Sequence, residues 1–104
     1  MNEQVLIEQY PFAEALSPMG ERLGFTWLTF LPEVWVENFG EKMLEEMANA
    51  IKQDRLGKVQ VLDAKEKYGT LRIYTDVSGD NLDRVIMKYE KESRKYPIGK
   101  EQSK

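Results

Sequence analysis

The sequence predicts an α+β domain with two layers: a small, mostly antiparallel sheet of about three strands with two helices packed on one face. Three observations lead to this prediction. An alternating aromatic and β-branched run occupies residues 25–30, two amphipathic stretches have helical spacing, and a glycine-containing hairpin lies between those stretches. The predicted order of elements is therefore strand, helix, strand, strand, helix, within a single domain of residues 1–96.

Residues 1–24 are predicted to form an irregular N-terminal arm with one or two helical turns. Pro11 ends any helix that precedes it, because proline removes a backbone donor and disfavours the helical conformation of the residue before it. A second short turn over residues 13–16 is expected before a loop at residues 17–20, whose composition is Ser-Pro-Met-Gly. The residues expected to pack this arm over the core are Leu6, Phe12 and Leu16.

The run FTWLTF at residues 25–30 predicts a strand covered on both faces, because both alternating sets of side chains include apolar residues. Pro32 then begins a helical region that extends to residue 55. We expect a joint in it, where Asn38 caps a new helix and Glu41 completes a capping box, and we expect Gly57 to cap its end. The predicted buried stripe is Trp35, Phe39, Met43, Met47, Ala50 and Ile51.

Residues 58–77 predict a β-hairpin with a four-residue loop, Glu66–Gly69, in which Gly69 tolerates a positive φ. This register gives one apolar and one mixed face. The predicted cross-strand pairs are Ala64 with Leu71, Leu62 with Ile73, Asp63 with Arg72, and Val61 with Tyr74.

A second amphipathic helix should follow the hairpin, with Asp80 or Ser78 as its N-cap and an apolar stripe through Tyr96. Residues 97–104 are expected to form a flexible C-terminal tail, because Pro97 stops the helix.

The absent residue types exclude several chemistries. The 104 residues carry a net charge of −3 and include no cysteine and no histidine, which excludes disulfides, thiolate metal sites and serine triads. No loop with alternating acidic ligands appears, so we predict no metal and no cofactor. No apolar run approaches the ~18 residues of a membrane span, and no signal peptide is recognisable. We therefore expect a cytoplasmic protein that is not an enzyme.

The first candidate site is an acidic helix face. Glutamates recur every four residues at Glu33, Glu37, Glu41 and Glu45, with Glu46 beside them. Like charges at this spacing repel by ~0.2–0.5 kcal/mol per pair. Four residues rise ~6 Å along a helix, which is comparable with the phosphate spacing of a nucleic-acid strand, so the row suits a nucleic-acid-binding groove on another protein. The alternative is a solvated face whose first acids favour the helix dipole.

The second candidate site is the mixed face of the hairpin. Arg72 and Tyr74 lie two residues apart on one strand and therefore point the same way. An arginine beside a tyrosine suits an anion or a stacked base, whereas an ion pair between Asp63 and Arg72 that only stabilises the sheet is the alternative. The residues of this ligand-binding alternative are Lys65, Lys67, Tyr68, Arg72 and Tyr74.

The run DAKEKYGTLRIY at residues 63–74, followed by a polar turn and a charged amphipathic helix, resembles a group of small uncharacterised phage and prophage proteins. These share a K-E-K-[FY]-G-[GT]-L-R-[FI]-Y core, and the resemblance covers residues 59–96 and, loosely, residues 24–37. Many members continue into a cysteine-containing C-x-x-C-G segment that looks metal-binding. Here Tyr96-Pro97-Ile98-Gly99 contains no cysteine, so the resemblance implies a phage or mobile-element origin without a metal site or catalytic residues.

Three classes of function follow. The first is a phage-type accessory protein, not an enzyme, that binds a host protein through the acidic helix face and inhibits it, for example a nucleic-acid-binding defence complex. The second is a small-ligand or nucleic-acid-binding domain that uses the hairpin face. Direct nucleic-acid binding is not the expected role of the chain, and in the last helix Glu90 and Glu92 interleave with the basic residues.

The third class, an enzyme with paired carboxylates, has the least support, because no such pair has a context that would separate the two pKa values. The outer sheet face with Val59, Val61 and Tyr74 is apolar enough to need a cover. The N-terminal arm, a second copy of the chain or a partner could supply that cover, so a homodimer stays open.

Overall fold

The structure is a computed structural model that describes residues 2–98, and its fold is α+β, as predicted. The helices are α1 (Glu3–Gln9), α2 (Glu33–Trp35), α3 (Glu41–Gln53) and α4 (Asp80–Ser93). The strands are β1 (Glu14–Leu16), β2 (Arg22–Thr26), β3 (Val61–Lys67) and β4 (Thr70–Thr75). Two 3-10 turns, Pro11–Ala13 and Trp27–Phe30, and a π turn, Val36–Gly40, complete the elements.

Within the described residues the strands form two antiparallel sheets, β1 with β2 and β3 with β4, rather than the single sheet of about three strands that was predicted. The partner of β2 is β1, which lies in the segment where a helical turn was expected. The loop at residues 17–20 brings them together, because the Ser17 N–H donates to the Glu21 carbonyl at 2.8 Å and the Ser17 hydroxyl accepts from the Glu21 N–H at 3.0 Å. A local turn thus gives β2 a partner close in sequence.

The N-terminal arm is anchored to the core by polar and apolar contacts. The Glu3 carboxylate accepts hydrogen bonds from the backbone N–H and the hydroxyl of Thr26, at 2.6 and 2.9 Å. Leu6 and Phe12 are buried, as expected, whereas Leu16 is only half-buried. Because Thr26 is fully buried, Glu3 satisfies polar groups that solvent cannot reach.

The strand predicted over residues 25–30 is wrong beyond Thr26, where β2 ends and a 3-10 turn begins. Trp27 and Leu28 are both buried, each with 2% of its surface exposed. Neighbouring residues of a strand point to opposite faces, whereas the turn directs both side chains into one core. The Trp27 indole N–H then donates to the Phe12 carbonyl at 3.0 Å.

The predicted joint in the long helical region is present, but a π turn forms it. Asn38 does not cap a new helix with Glu41; its side chain donates to the Val34 carbonyl at 2.7 Å. In an α-helix with 3.6 residues per turn, side chains four residues apart shift gradually around the helix axis. A π turn contains an extra residue, and it therefore offsets this shift. The predicted stripe is buried throughout: Trp35, Phe39, Met43, Met47, Ala50 and Ile51.

The end of α3 forms a Schellman motif without glycine at its left-handed position. Arg55 occupies that position with a φ of 55°. Its N–H donates to the Lys52 carbonyl at 3.1 Å, and the Leu56 N–H donates to the Ile51 carbonyl at 3.1 Å. Gly57, the predicted cap, lies two residues further on, so that prediction is wrong.

The first turn of α4 is capped from a distance by Asp54, the residue that follows α3. Its carboxylate accepts from the backbone N–H of Asn81 at 3.1 Å and of Leu82 at 2.8 Å. These are the donors that an N-cap side chain usually satisfies. The hydrogen bond from Leu82, together with those from Asn81, lowers the pKa of Asp54 below its usual value of 3.8 despite some desolvation.

The N-cap position of α4 is Gly79, so the prediction of Asp80 or Ser78 as the cap is wrong. A Cβ atom on Gly79 would overlap the Asp54 carboxylate. The extended backbone of Gly79 would suit any residue, so it is not the backbone conformation that requires glycine here. The close approach of the Asp54 side chain requires it.

β3 and β4 form the predicted hairpin, but their register differs by two residues. The turn contains two residues, Tyr68 and Gly69, instead of four, with φ values of 55° and 79°. Ala64 therefore pairs with Ile73 and not with Leu71. A shift of two residues preserves the alternation of faces, and these three side chains are all buried, as expected.

A bulge between Val61 and Asp63 reverses the alternation at the start of β3. Val61 is consequently buried, whereas Leu62, which was expected to face the core, is 56% exposed. The predicted pairs of Val61 with Tyr74 and of Leu62 with Ile73 are therefore wrong.

The free edge of β4 is covered by α4 at Ser93, which is fully buried. In an antiparallel pair, alternate residues direct their N–H groups away from the partner strand. The Ser93 hydroxyl accepts from the Leu71 N–H at 2.9 Å and donates to the Glu90 carbonyl at 2.7 Å. A serine on the apolar stripe of α4 thus satisfies a buried donor of β4.

Past α4, the chain returns to the core. The Tyr96 carbonyl accepts from the Trp35 indole N–H at 3.1 Å, and Ile98 is buried with 6% of its surface exposed. The rest of the predicted flexible tail, residues 99–104, lies outside the described residues.

Candidate functional site

Four of the five predicted partner-binding glutamates form one exposed row, here called the acidic row: Glu33, Glu37, Glu41 and Glu45. They lie on consecutive turns of α2, the π turn and α3. None of these carboxylates forms an ion pair with a basic side chain of residues 2–98. The row therefore presents four exposed carboxylates that have no ion pair within residues 2–98.

Tyr10 lies beside the second half of the acidic row. Its ring is half-buried and packs against Phe12 with 6.0 Å between the ring centroids. Burial raises the pKa of the Tyr10 phenol, and the negative charges of Glu45 and Glu41 raise it further. Tyr10 therefore places a hydroxyl group at the border of the row.

Glu46 does not belong to the exposed row. It is half-buried, and its carboxylate contacts the Lys88 ammonium at 2.8 Å. Desolvation alone would raise the pKa of Glu46, but the interactions with Lys88, Tyr89 and Lys42 outweigh it and lower the pKa. Burial, and then Glu46 itself, raise the pKa of the Tyr89 phenol. Glu46 thus joins α3 to α4.

The hairpin face, defined as Lys65, Lys67, Arg72 and Tyr74, is brought together by β3 and β4. Arg72 lies opposite Lys65, so the predicted pair of Arg72 with Asp63 is wrong. The Lys65 ammonium contacts the Asp63 carboxylate of its own strand at 3.2 Å and lies 5.9 Å from the centroid of the Tyr74 ring. The Arg72 Nε atom is buried without a hydrogen-bond partner in the described residues. The face thus combines Arg72 with Lys65, whose ammonium already pairs with Asp63 and lies near the Tyr74 ring.

Tyr68 stands at the tip of the hairpin, in the left-handed conformation and with 90% of its surface exposed. A bulky residue with positive φ is strained by ~1–2 kcal/mol, and the usual residue at this turn position is asparagine, aspartate or glycine. The Lys67 ammonium lies 5.8 Å from the centroid of the Tyr68 ring. The turn therefore exposes the Tyr68 ring to solvent, although the left-handed backbone of Tyr68 lowers the stability of the hairpin.

Sequence reasoning missed an apolar cavity of about 430 Å³ between the N-terminal arm and the end of α3. Its walls come from three stretches that are distant in sequence, residues 9–22, 48–51 and 57–60. No local signal announces it, because the cavity depends on how the arm packs against α3.

In residues 2–98 no group of three acidic side chains is placed to hold a metal ion. None of the helices in that range combines the length and the apolar character that a membrane crossing requires.

Comparison with known proteins gave no match: no family model fits the chain, no curated protein is significantly similar in sequence, and no solved structure is significantly similar in fold.

Proposed function

We propose that this chain is a non-enzymatic interaction domain that binds a basic surface of a host protein through the acidic row. One observation carries the proposal: the row's carboxylates are exposed on consecutive helical turns, and no basic side chain of residues 2–98 neutralises them. Each like-charged pair at this spacing destabilises a helix by ~0.2–0.5 kcal/mol. A partner's lysines and arginines would remove that repulsion on binding.

The spacing of the row suits a partner that binds nucleic acid. Carboxylates four residues apart are separated by ~6 Å along the axis, so they can occupy positions that phosphates take in a basic groove. The resemblance of residues 63–74 implies only a phage or mobile-element origin, and we propose that an accessory protein of that origin inhibits such a host protein in the cytoplasm. Electrostatic steering would make the association fast and sensitive to salt.

The test is a charge reversal of three of the four members of the row, Glu37→Lys, Glu41→Lys and Glu45→Lys together. Tagged chain is recovered gently from a bacterial lysate, and the complex is weighed by native mass spectrometry. We expect a stoichiometric protein partner with the original chain, release of that partner by added salt, and no partner with the reversed chain. Circular dichroism establishes that the variant is folded.

A matched control reverses three exposed acids outside the row, Glu8→Lys, Glu21→Lys and Asp83→Lys, and gives the same change in net charge. This control should keep the partner. If the row variant and the control both keep it, the proposed surface is wrong. If both variants lose the partner, binding depends on the net charge of the chain and not on the acidic row in particular.

The second candidate function is binding of a nucleotide or single-stranded nucleic acid by the hairpin face with Tyr68. The two cationic residues Lys65 and Arg72, which lie opposite each other on β3 and β4, favour it, because an anion would pair with their charges. Tyr68 and Tyr74 offer rings on which bases can stack. A labelled oligonucleotide should then bind, and Arg72→Gln should lower its affinity. Arg94→Gln, a control at the C-cap of α4, should leave the affinity unchanged. Equal loss in both variants would exclude the hairpin face.

A further inference from the structure

The cavity between the arm and α3 is mostly apolar. Phe12 and Leu16 contribute the wall from the arm, Ile51 contributes the wall from α3, and Val59 contributes the wall from the loop before β3. Its volume of about 430 Å³ lies within the range that small-ligand sites usually have. A second hollow of about 500 Å³ adjoins it and shares Ala48, Ile51 and Gly57 as lining. An elongated apolar body therefore has room along the C-terminal half of α3.

The polar lining of the cavity is positive, although the whole chain is acidic. Its one carboxylate, Glu14, is already occupied, because it pairs with the Arg22 Nε at 3.2 Å and accepts from the Gly24 N–H at 2.9 Å. Lys58 lines the same cavity and forms no ion pair within residues 2–98. The adjoining hollow adds Lys52 and Arg55 without any acid.

We propose that this cavity binds a small anionic amphiphile, a carboxylic acid with an apolar chain. The chain would lie against Phe12, Leu16 and Ile51, and the carboxylate would pair with Lys58, since Glu14 already neutralises Arg22. No residue that lines this cavity belongs to the acidic row or to the hairpin face, and the proposal does not depend on either function proposed above. No motif in the sequence indicates this class of ligand.

The test is a titration with sodium octanoate, followed by the NMR shifts of the methyl groups of Ala48, Ile51 and Val59. We expect saturable shifts confined to the cavity. Octanol, which has a similar chain and no charge, should bind about tenfold more weakly, as expected for the loss of one charge-assisted contact.

Three variants locate the site. Ala48→Phe places a ring in the cavity and should abolish the shifts. Lys58→Gln, at an exposed position that cannot disturb the core, should weaken octanoate by about tenfold and leave octanol unchanged. Lys91→Gln on α4 carries the same charge change and should alter neither ligand.

Four results would overturn the proposal. If octanoate does not bind the original chain, the proposed ligand site is wrong. Shifts that persist unchanged in a folded Ala48→Phe chain place the binding elsewhere. Equal affinities for octanoate and octanol, or equal weakening by Lys58→Gln and Lys91→Gln, remove the carboxylate contact with Lys58.

Discussion

Ser93→Ala is the substitution whose effect on stability follows most directly from the structure. It removes one oxygen atom and leaves the Leu71 N–H buried without an acceptor, because Leu71 and Ser93 are both fully buried. An unsatisfied buried donor costs ~1–3 kcal/mol. We therefore expect the free energy of unfolding to fall by ~2 kcal/mol, which corresponds to ~8–16 °C in Tm for a domain of this size.

Urea unfolding followed by tryptophan fluorescence measures this change, since Trp27 and Trp35 are buried. Ser78→Ala is the matched control, because Ser78 is exposed and its hydroxyl forms no hydrogen bond in the described part of the chain. It should alter the free energy of unfolding by less than ~0.5 kcal/mol. Hydrogen exchange at the Leu71 amide gives a local readout and should accelerate in Ser93→Ala.

An equal, small effect of the two substitutions would refute the reasoning. It would mean that water or a rearranged backbone accepts the Leu71 N–H at no cost, and that α4 does not hold the edge of β4 through Ser93. Destabilisation without faster exchange at Leu71 would assign the effect to packing and would refute the role of the hydrogen bond.

Three further predictions concern turns and caps. Tyr68→Asn should raise the free energy of unfolding by ~1 kcal/mol, because asparagine tolerates the left-handed conformation at little cost; a lower urea midpoint would contradict this. Arg55→Gly should stabilise by up to ~1 kcal/mol at the Schellman position, whereas Lys52→Gly, inside α3, should destabilise by ~1 kcal/mol. Similar urea midpoints for these two variants would contradict the assignment. The lowered pKa of Asp54 means that its stabilising effect is complete above its usual pKa of 3.8 and is lost as the pH falls through the lower pKa of the folded state. In Asp54→Asn the free energy of unfolding should therefore fall less steeply as the pH is lowered into the acid range. An unchanged dependence on pH would show that other carboxylates control it.

The parts of the fold that the sequence predicted correctly depend on local periodicity. The buried stripe from Trp35 to Ile51 follows from helical spacing, and the facing of Ala64, Leu71 and Ile73 follows from alternation along strands. The hairpin register was missed because the sequence places Tyr68 at a turn position that propensity assigns to asparagine or glycine. A longer loop is the natural prediction when the turn residue is an unfavourable one.

The N-cap of α4 was predicted wrongly because its true cap is distant in sequence. Asp54 caps α4 from 27 residues away, measured to Asn81, so no window around Asp80 could reveal it. β1 was missed because three residues, Glu14–Leu16, carry too little pattern to distinguish a strand from a turn.

The candidate sites divide in the same way. The exposure of the acidic row follows from its four-residue repeat opposite the buried stripe, which the sequence displays. The separate position of Glu46 depends on Lys88, 42 residues further along the chain. The cavity combines three distant stretches, so its existence became evident only from the folded chain.

The contact between Asp54 and Gly79 restricts how this protein can change during evolution. A side chain at position 79 would displace the carboxylate that caps α4. A shorter residue at position 54 would make room for that side chain but would leave the first turn of α4 uncapped. The two positions should therefore vary together: descendants that keep aspartate at 54 keep glycine at 79, and those that lose both gain a serine, threonine or aspartate at the start of α4.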